Sequence, residues 1–283
     1  MNSPPCAFTV DVEDYFQVDA FSDVIPVSAW GGFEPRVVAN TSRLLDLLDE
    51  HQVRGTFFVL GWIAERHAAL VRSIAARGHE VASHGMSHQL VFTQSPAVFR
   101  QETRDSKRLL EDLIEAPVIG YRAATYSIIR RSLWALDILH EEGFLYDSSI
   151  FPVRHDRYGI PDAKTVPHRL ATPGGNVIVE YPLTAVRLLG VNLPVSGGGY
   201  FRLLPYPLTR WGLRRVGAEG RPVVFYLHPW EIDPGQPRVE GARWSSRFRH
   251  YLNLDRTLPR LNRLLQDFQF STMRDCLSAR GLL

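Results

Sequence analysis

Residues 8–16 read FTVDVEDYF and crowd Asp11, Glu13 and Asp14 into four positions at the end of a β-prone run. Carboxylates this close repel and raise each other's pKa unless positive charge offsets them. Taken alone, an acidic triplet describes a solvated loop with helix-capping acids, because charged residues are mostly surface residues. A second cluster shifts that balance. His84 and His88, in SHGMSHQ, are spaced i, i+4, so one helical turn or a tight loop brings both imidazoles to one side. Two histidines plus a carboxylate form a common divalent-metal set that leaves coordination positions open for water and substrate. A cation held by the histidine pair and one of these acids would relieve the repulsion.

Such residues need elements to hold them, and the chain alternates short β runs with amphipathic helices. Strands are expected at 7–12, 55–61, 79–84 and 117–122, then in FLYDSS, NVIVEYP and RPVVFYLHP. Helices are expected at 40–52 (capped by Asn40 or Thr41), 62–78 (closed by Gly78), 95–116 (opened by Ser95 and Pro96), 131–143 and 257–268. This alternation predicts an α/β fold with a mainly parallel sheet closing into a barrel. The continuous apolar runs TFFVL and VVFYL suit parallel strands buried on both faces. Residues 152–221 are rich in Pro and Gly and read as loops and insertions over that barrel. Catalytic groups in barrels sit at the C-terminal ends of strands. The acids at 11–14, His84, Arg122, Asp147 and His228 each follow an expected strand at that same end. This shared register rejects the capping-loop reading.

Composition sets the outer bounds. The 283 residues are 45% apolar and 22% charged, ordinary for a globular chain with a substantial core. A net charge of +2 with scattered basic residues gives no footprint for nucleic acid. No apolar run approaches the roughly 20 residues a membrane-spanning helix needs. The opening MNSPPCAFTVDVEDYF has no Lys, Arg or long apolar core, so a cytoplasmic location is expected. Cys6 and Cys276 offer neither a disulfide framework nor metal-ligand spacing and are expected to be buried thiols.

Five segments, TVDVEDYF, SHGMSH, GYRAATYS, YDSSIFP and FYLHPWE, occur in an order and spacing that resemble the NodB-type polysaccharide deacetylases, carbohydrate esterase family 4. HPWEIDPGQPR, GGGYFRLLPY and FRHYLNLDRTLPRLNRLLQDFQFSTMRD resemble the C-terminal extension of a branch associated with exopolysaccharide clusters of the exosortase type. The resemblance runs from about residue 6 to 276. It implies a deformed (β/α) barrel forming one catalytic domain over 1–283, with about 229–283 as an extension packed on it. It also implies removal of N-acetyl groups from amino sugars with a divalent metal, usually zinc, and hence an N-acetylated glycan as substrate.

Carried onto this sequence, the resemblance makes Asp11 the base and His84 and His88 metal ligands. Arg122 orients the base, His228 is the general acid, and Asp147 is an acid that tunes the site. A backbone N–H near Thr125 would face the substrate oxyanion, with Tyr126 and Trp230 on the substrate side. The third metal ligand stays open between Glu13 and Asp14. By position it is Glu13, and a one-residue bulge would serve Asp14. Two departures stand out: Val12 follows the base where many relatives have Asp, and RAAT (122–125) lacks the prolines common there. Losing Pro predicts a looser oxyanion loop and lower activity. GGGYFR (197–202) reads as a tight loop that could place Tyr200 and Arg202 over a glycan, and His155 as a residue near the cleft. The rival functions are a small-molecule amide hydrolase of the same superfamily and a non-catalytic glycan-binding protein. A glycoside hydrolase would need two acids facing across a cleft and leaves the histidine pair without a role.

Overall fold

The computed structural model describes residues 6–283. Its first half runs β1 (Cys6–Val12), α1 (Val37–Glu50), β2 (Thr56–Val59), α2 (Gly61–Arg66), α3 (Ala68–Ala76), β3 (Glu80–Ser83), α4 (Pro96–Ile114), β4 (Gly120–Tyr121), α5 (Trp134–Glu141) and β5 (Tyr146–Asp147). The second half adds β6 (His168–Ala171), β7 (Val177–Glu180), β8 (Ala185–Leu188), β9 (Val191–Pro194), α6 (Gly198–Leu203), α7 (Tyr206–Ala218) and β10 (Val224–Leu227). It ends with α8 (Trp244–Tyr251), α9 (Leu254–Asp267), β11 (Phe270–Ser271) and α10 (Met273–Ser278).

The main sheet has the order β10-β1-β2-β3-β4-β5-β7-β6, parallel throughout except for β6 against β7, with β11 beside the start of β1. It curls into a half-barrel whose ring of strand pairing is left open, the deformed barrel expected for this α/β chain. At the edge formed by β10, the Tyr226 N–H donates to the Ser196 carbonyl at 3.0 Å. There Gly197, at φ +147°, lies so close that a Cβ would meet the Tyr226 carbonyl oxygen at 1.9 Å. Every residue of β1 is buried, as a strand flanked on both edges and covered on both faces requires. Side chains alternate along it: Phe8 and Val10 enter the apolar layer under the helices, while Ala7 turns toward Phe58, Tyr146 and Tyr226. Asp11 shares the parity of Ala7 and so belongs to the inner face.

Register then aligns the strand ends. Val10 pairs with Leu227, Asp11 with Phe58, Val59 with Ser83, and Ser83 with Tyr121. The residues that follow these positions emerge on one rim. The opposite end of the barrel is filled by α10, whose Met273, Cys276 and Leu277 join the inner apolar cluster. Both cysteines are buried, as their sparse spacing suggested.

Several expectations need correcting. The segment 152–221 is not only loops, since it holds β6 to β9, α6 and α7. Glycines at 212 and 217 dilute the helical signal of α7, and at Gly212 a Cβ would press on Val195 at 3.1 Å. The single helix expected over 62–78 breaks at His67 (φ −131°, ψ 47°) into α2 and α3. Helix α1 starts at Val37, ahead of Asn40 and Thr41, because its cap is supplied from elsewhere in the chain.

Candidate active site

Immediately after β1 the chain turns sharply: the Glu13 N–H donates to the Asp11 carbonyl at 3.0 Å, closing an i to i+2 turn. This separates the two acids that sequence left open. Asp14 points to α1, where Oδ2 accepts the N–H groups of Arg36 (2.7 Å) and Val37 (2.9 Å) and Oδ1 that of Tyr15 (2.9 Å). It is the missing helix cap, neutralising orphan donors at a positive helix end, and it is not a metal ligand candidate in this geometry. Glu13 points into the rim instead.

The donor atoms of Glu13, His84 and His88 all lie within 4.8 Å of one another. His88 Nε2 approaches Glu13 Oε2 at 2.7 Å, yet that buried oxygen accepts no hydrogen bond of normal geometry. Two acceptors aimed at a common point, one of them an orphaned buried carboxylate oxygen, fit a divalent cation. His84 Nδ1 lies 2.7 Å from the Arg122 carbonyl, which leaves Nε2 to face the cluster. Burial keeps the His84 imidazole neutral, with its pKa lowered to about 4, as a ligand nitrogen must be. Burial opposes ionisation of Glu13, but His88 and His228 outweigh it and hold its carboxyl well below the usual range. The histidine pair is carried on a loop, not a helical turn, and His88 adopts the left-handed φ of +55°.

Asp11 lies beside this trio and is gripped by Arg122. The fully buried guanidinium donates to Asp11 Oδ1 (2.7 Å), Thr9 Oγ (2.8 Å), and the Ser148 carbonyl (3.2 Å) and hydroxyl (3.1 Å), and it rests 4.1 Å over the Phe58 ring. Such an array leaves Asp11 with one rotamer and Oδ2 free to face the cleft. Tyr126 Oη stands 3.5 Å and His228 Nε2 3.9 Å from that oxygen.

His228 follows β10 and is held by a residue that sequence reasoning did not assign. Glu231 Oε1 lies 2.7 Å from His228 Nδ1 and accepts the His228 N–H at 3.0 Å, while its other oxygen accepts from Arg202 Nε at 2.6 Å. Arg202, in turn, donates to the carbonyls of Arg249, His250 and Leu252. Burial alone would lower the His228 pKa. Glu13, Glu231 and Asp11 outweigh it and push the imidazole up to about 9. Burial likewise opposes charge on Glu231, and Arg202 and His228 hold it below the usual carboxylate range. The spacing of HPWE, with Pro229 in the first turn and an acid three residues past His228, is the capping-box pattern that could have pointed to Glu231.

Asp147, expected to tune the site, lies at the end of β5. It pairs in register with Glu180, and burial raises the pKa of both acids. Its Oδ1 accepts the Ser149 hydroxyl at 2.5 Å, and Ser149 Oγ in turn accepts the Ala123 N–H at 2.8 Å. This chain of hydrogen bonds anchors the RAAT loop through an N–H that a proline at 123 would lack. The loop is thus tied by hydrogen bonding rather than by ring stiffness. Thr125 and Tyr126 then take left-handed φ values of 52° and 53° at the cleft wall.

Trp230 stacks with His228 (centroids 5.3 Å apart) and His250 (4.1 Å), and its Nε1 donates to Glu13 Oε1 at 3.2 Å. It thereby helps to position Glu13 and, although largely buried, still lines the cleft. Arg202, buried in its ion pair with Glu231, lines the cleft together with Tyr200 and His155, and His155 stacks on Tyr158. The cleft holds about 360 Å³, and Asp11, Glu13, His84, His88, Thr125, Tyr126 and His228 all line it.

Comparison with known proteins places these residues in context. Residues 29–139 match the family model described as polysaccharide deacetylase, and residues 148–278 match a domain of unknown function, DUF3473. The chitooligosaccharide deacetylase of Rhizobium leguminosarum bv. trifolii is 34% identical over 148 residues, 52% of this chain and 60% of that protein. The chain thus spans less than two thirds of that relative. A Mycobacterium smegmatis protein assigned to the polysaccharide deacetylases superposes with a TM-score of 0.63 at 24% identity, covering 99% of this chain and 92% of the other. The PuuE allantoinase superposes with a TM-score of 0.62 at 17% identity, covering 98% and 92%. Both structural likenesses concern the fold.

Proposed function

We propose that this chain, whose residues 29–139 match the polysaccharide deacetylase model, is a metal-dependent hydrolase removing N-acetyl groups from amino sugars of a polysaccharide or its oligosaccharide precursor. One observation carries this reading: an acid held by arginine, a histidine held by glutamate and a three-donor cation site meet in one cleft. Glu13, His84 and His88 would hold the metal, with zinc favoured by the two imidazoles. When bound, a divalent cation polarises the acetyl carbonyl and acidifies water.

The chain's own residues supply the proton traffic. Asp11, fixed by Arg122, accepts the proton of the attacking water as its oxygen bonds to the acetyl carbon. His228 gives a proton to the departing sugar nitrogen as the C–N bond breaks, yielding acetate and a free amine. Glu231 holds Nδ1, so that Nε2 is the nitrogen that faces the reaction. Tyr126 and the left-handed turn at Thr125 close the wall opposite. Membership of an exopolysaccharide-associated branch is part of the proposal and rests on the resemblance carried by HPWEIDPGQPR, GGGYFRLLPY and the segment from Phe248 to Asp275.

The test is acetate release from N-acetylated oligosaccharides after chelation and again after zinc or cobalt is restored, with Asp11→Asn alongside. Release should require metal and fall by roughly 10²–10⁴-fold in the variant. Stoichiometric metal with no release from any glycan would favour the small-molecule amide hydrolase, and no metal at His84 and His88 would sink the reading.

A further inference from the structure

The mouth of the cleft carries an outward-facing apolar group with no partner. On α8, Trp244 is 78% and Phe248 51% exposed, and their rings stack with centroids 5.5 Å apart at 17°. Leu203, at the end of α6, is 55% exposed. Leu203 and Phe248 line the same cavity as Asp11 and His84, so this group borders the reaction cleft. Keeping a large aromatic pair in water is costly, and a contiguous exposed apolar patch marks an interaction site.

Charge identifies the partner. Residues 241–254 contain three arginines and no carboxylate. Among the described residues neither Arg247 nor Arg249 forms an ion pair, and Arg243 meets only the exposed Asp23, at 3.7 Å. The other face of α8 is anchored: Ser246 and His250 are buried, and His250 stacks on Trp230. The helix is therefore a fixed platform, with tryptophan, phenylalanine and leucine at its surface and unpaired arginines around them. A neutral glycan would find mostly cations here. An anionic bilayer surface matches both parts, phosphates for the guanidinium groups and the headgroup boundary for the rings.

We propose that α8 and Leu203 dock the cleft rim onto an anionic phospholipid surface, so that the site works on amino sugars held close to a membrane. This rests on the deacetylase reading for its substrate but not for the docking itself. No helix among the described residues is long and apolar enough to cross a membrane, so the contact would be peripheral.

The full chain should co-sediment with phosphatidylcholine vesicles containing phosphatidylglycerol, more weakly in high salt, and little with phosphatidylcholine alone. Trp244→Ser and Arg243→Gln/Arg247→Gln lie outside the cleft lining. Each should weaken vesicle binding roughly tenfold while leaving acetate release from soluble oligosaccharides unchanged. Three results would overturn the docking: no vesicle binding by the parent chain, binding indifferent to these variants, or a Trp244→Ser loss confined to soluble-glycan kcat/KM, which would make the rim a sugar platform. Acetate release without vesicle binding removes the docking alone. Vesicle binding without acetate release removes the deacetylase reading and leaves the docking standing.

Discussion

The two halves of the cleft are built by different means. On one side, Asp11, Glu13, His84 and Arg122 stand at the ends of the parallel strands β1, β3 and β4, and the sheet register through β2 delivers them to one rim. On the other, His228 leaves β10, but its orientation comes from a side-chain chain, Glu231 to Arg202 to three backbone carbonyls, that ties α6 to the C-terminal end of α8. The first side combines backbone pairing with one buried ion pair, Arg122 with Asp11. The second depends on a longer chain of buried ions that stabilises only while every partner is present. Substitutions should therefore separate the halves by what they damage.

The largest effect is expected at Arg122, where the sheet-built side concentrates its charge. Arg122→Met leaves Asp11 buried and unpaired and should cost about 3–5 kcal/mol of stability, read by urea unfolding. Adding Asp11→Asn should recover part of that loss without recovering activity. If Arg122→Met unfolds no more easily than the parent chain, the guanidinium is not the anchor described.

On the other side, Glu231→Gln should lower kcat about 10–100-fold with little change in KM, as loss of a group that orients a reacting histidine does. Arg202→Met should act through the same chain, so the double variant should be far less than additive. Additive effects would mean that Arg202 and Glu231 serve separate purposes.

A smaller effect tests the loop that joins the halves. Ser149→Ala removes the acceptor of the Ala123 N–H and should cost about 1–3 kcal/mol. Ala123 has φ −73°, which proline can adopt. Ala123→Pro should thus be better tolerated in the Ser149→Ala background than alone, and the reverse order would show that the hydrogen bond does not hold the loop.

The smallest effect lies away from both halves. Burial keeps His79 neutral, its pKa lowered to about 4, while Nδ1 accepts the Gly55 N–H at 3.1 Å. A depressed folded pKa gives stability that is complete above the ordinary value of 6.5 and is lost as pH falls toward 4. His79→Gln should flatten that limb in urea midpoints measured from pH 7 to 4, and an unchanged limb would place the acid sensitivity elsewhere.

What could be read from sequence follows the same division. TFFVL, VVFYL and the polar residues after them predicted a parallel sheet with one chemical rim, because period and strand-end position are local properties. Where the signal was local but shared, it misled: Asn40 and Thr41 looked like caps of α1, yet the cap is Asp14, 23 positions before Val37. Helix α7 and the hairpin β8–β9 were hidden among prolines and glycines whose packing reasons, such as Gly212 against Val195, exist only in three dimensions.

The sequence by itself determined which residue types reach the rim: acids after β1, two histidines after β3, an arginine after β4 and a histidine after β10. Tertiary structure alone decided their division of labour. It turned Glu13 toward the histidines and Asp14 toward α1 through one tight turn, set Glu231 against His228, and stacked Trp230 with His228 and His250. The reason is physical: a side chain's role depends on the partner within about 3 Å of it, and here those partners lie as far away as the 217 positions between Glu13 and Trp230. Spacing along a chain sets which way a residue points, and only the folded sheet sets what it meets there.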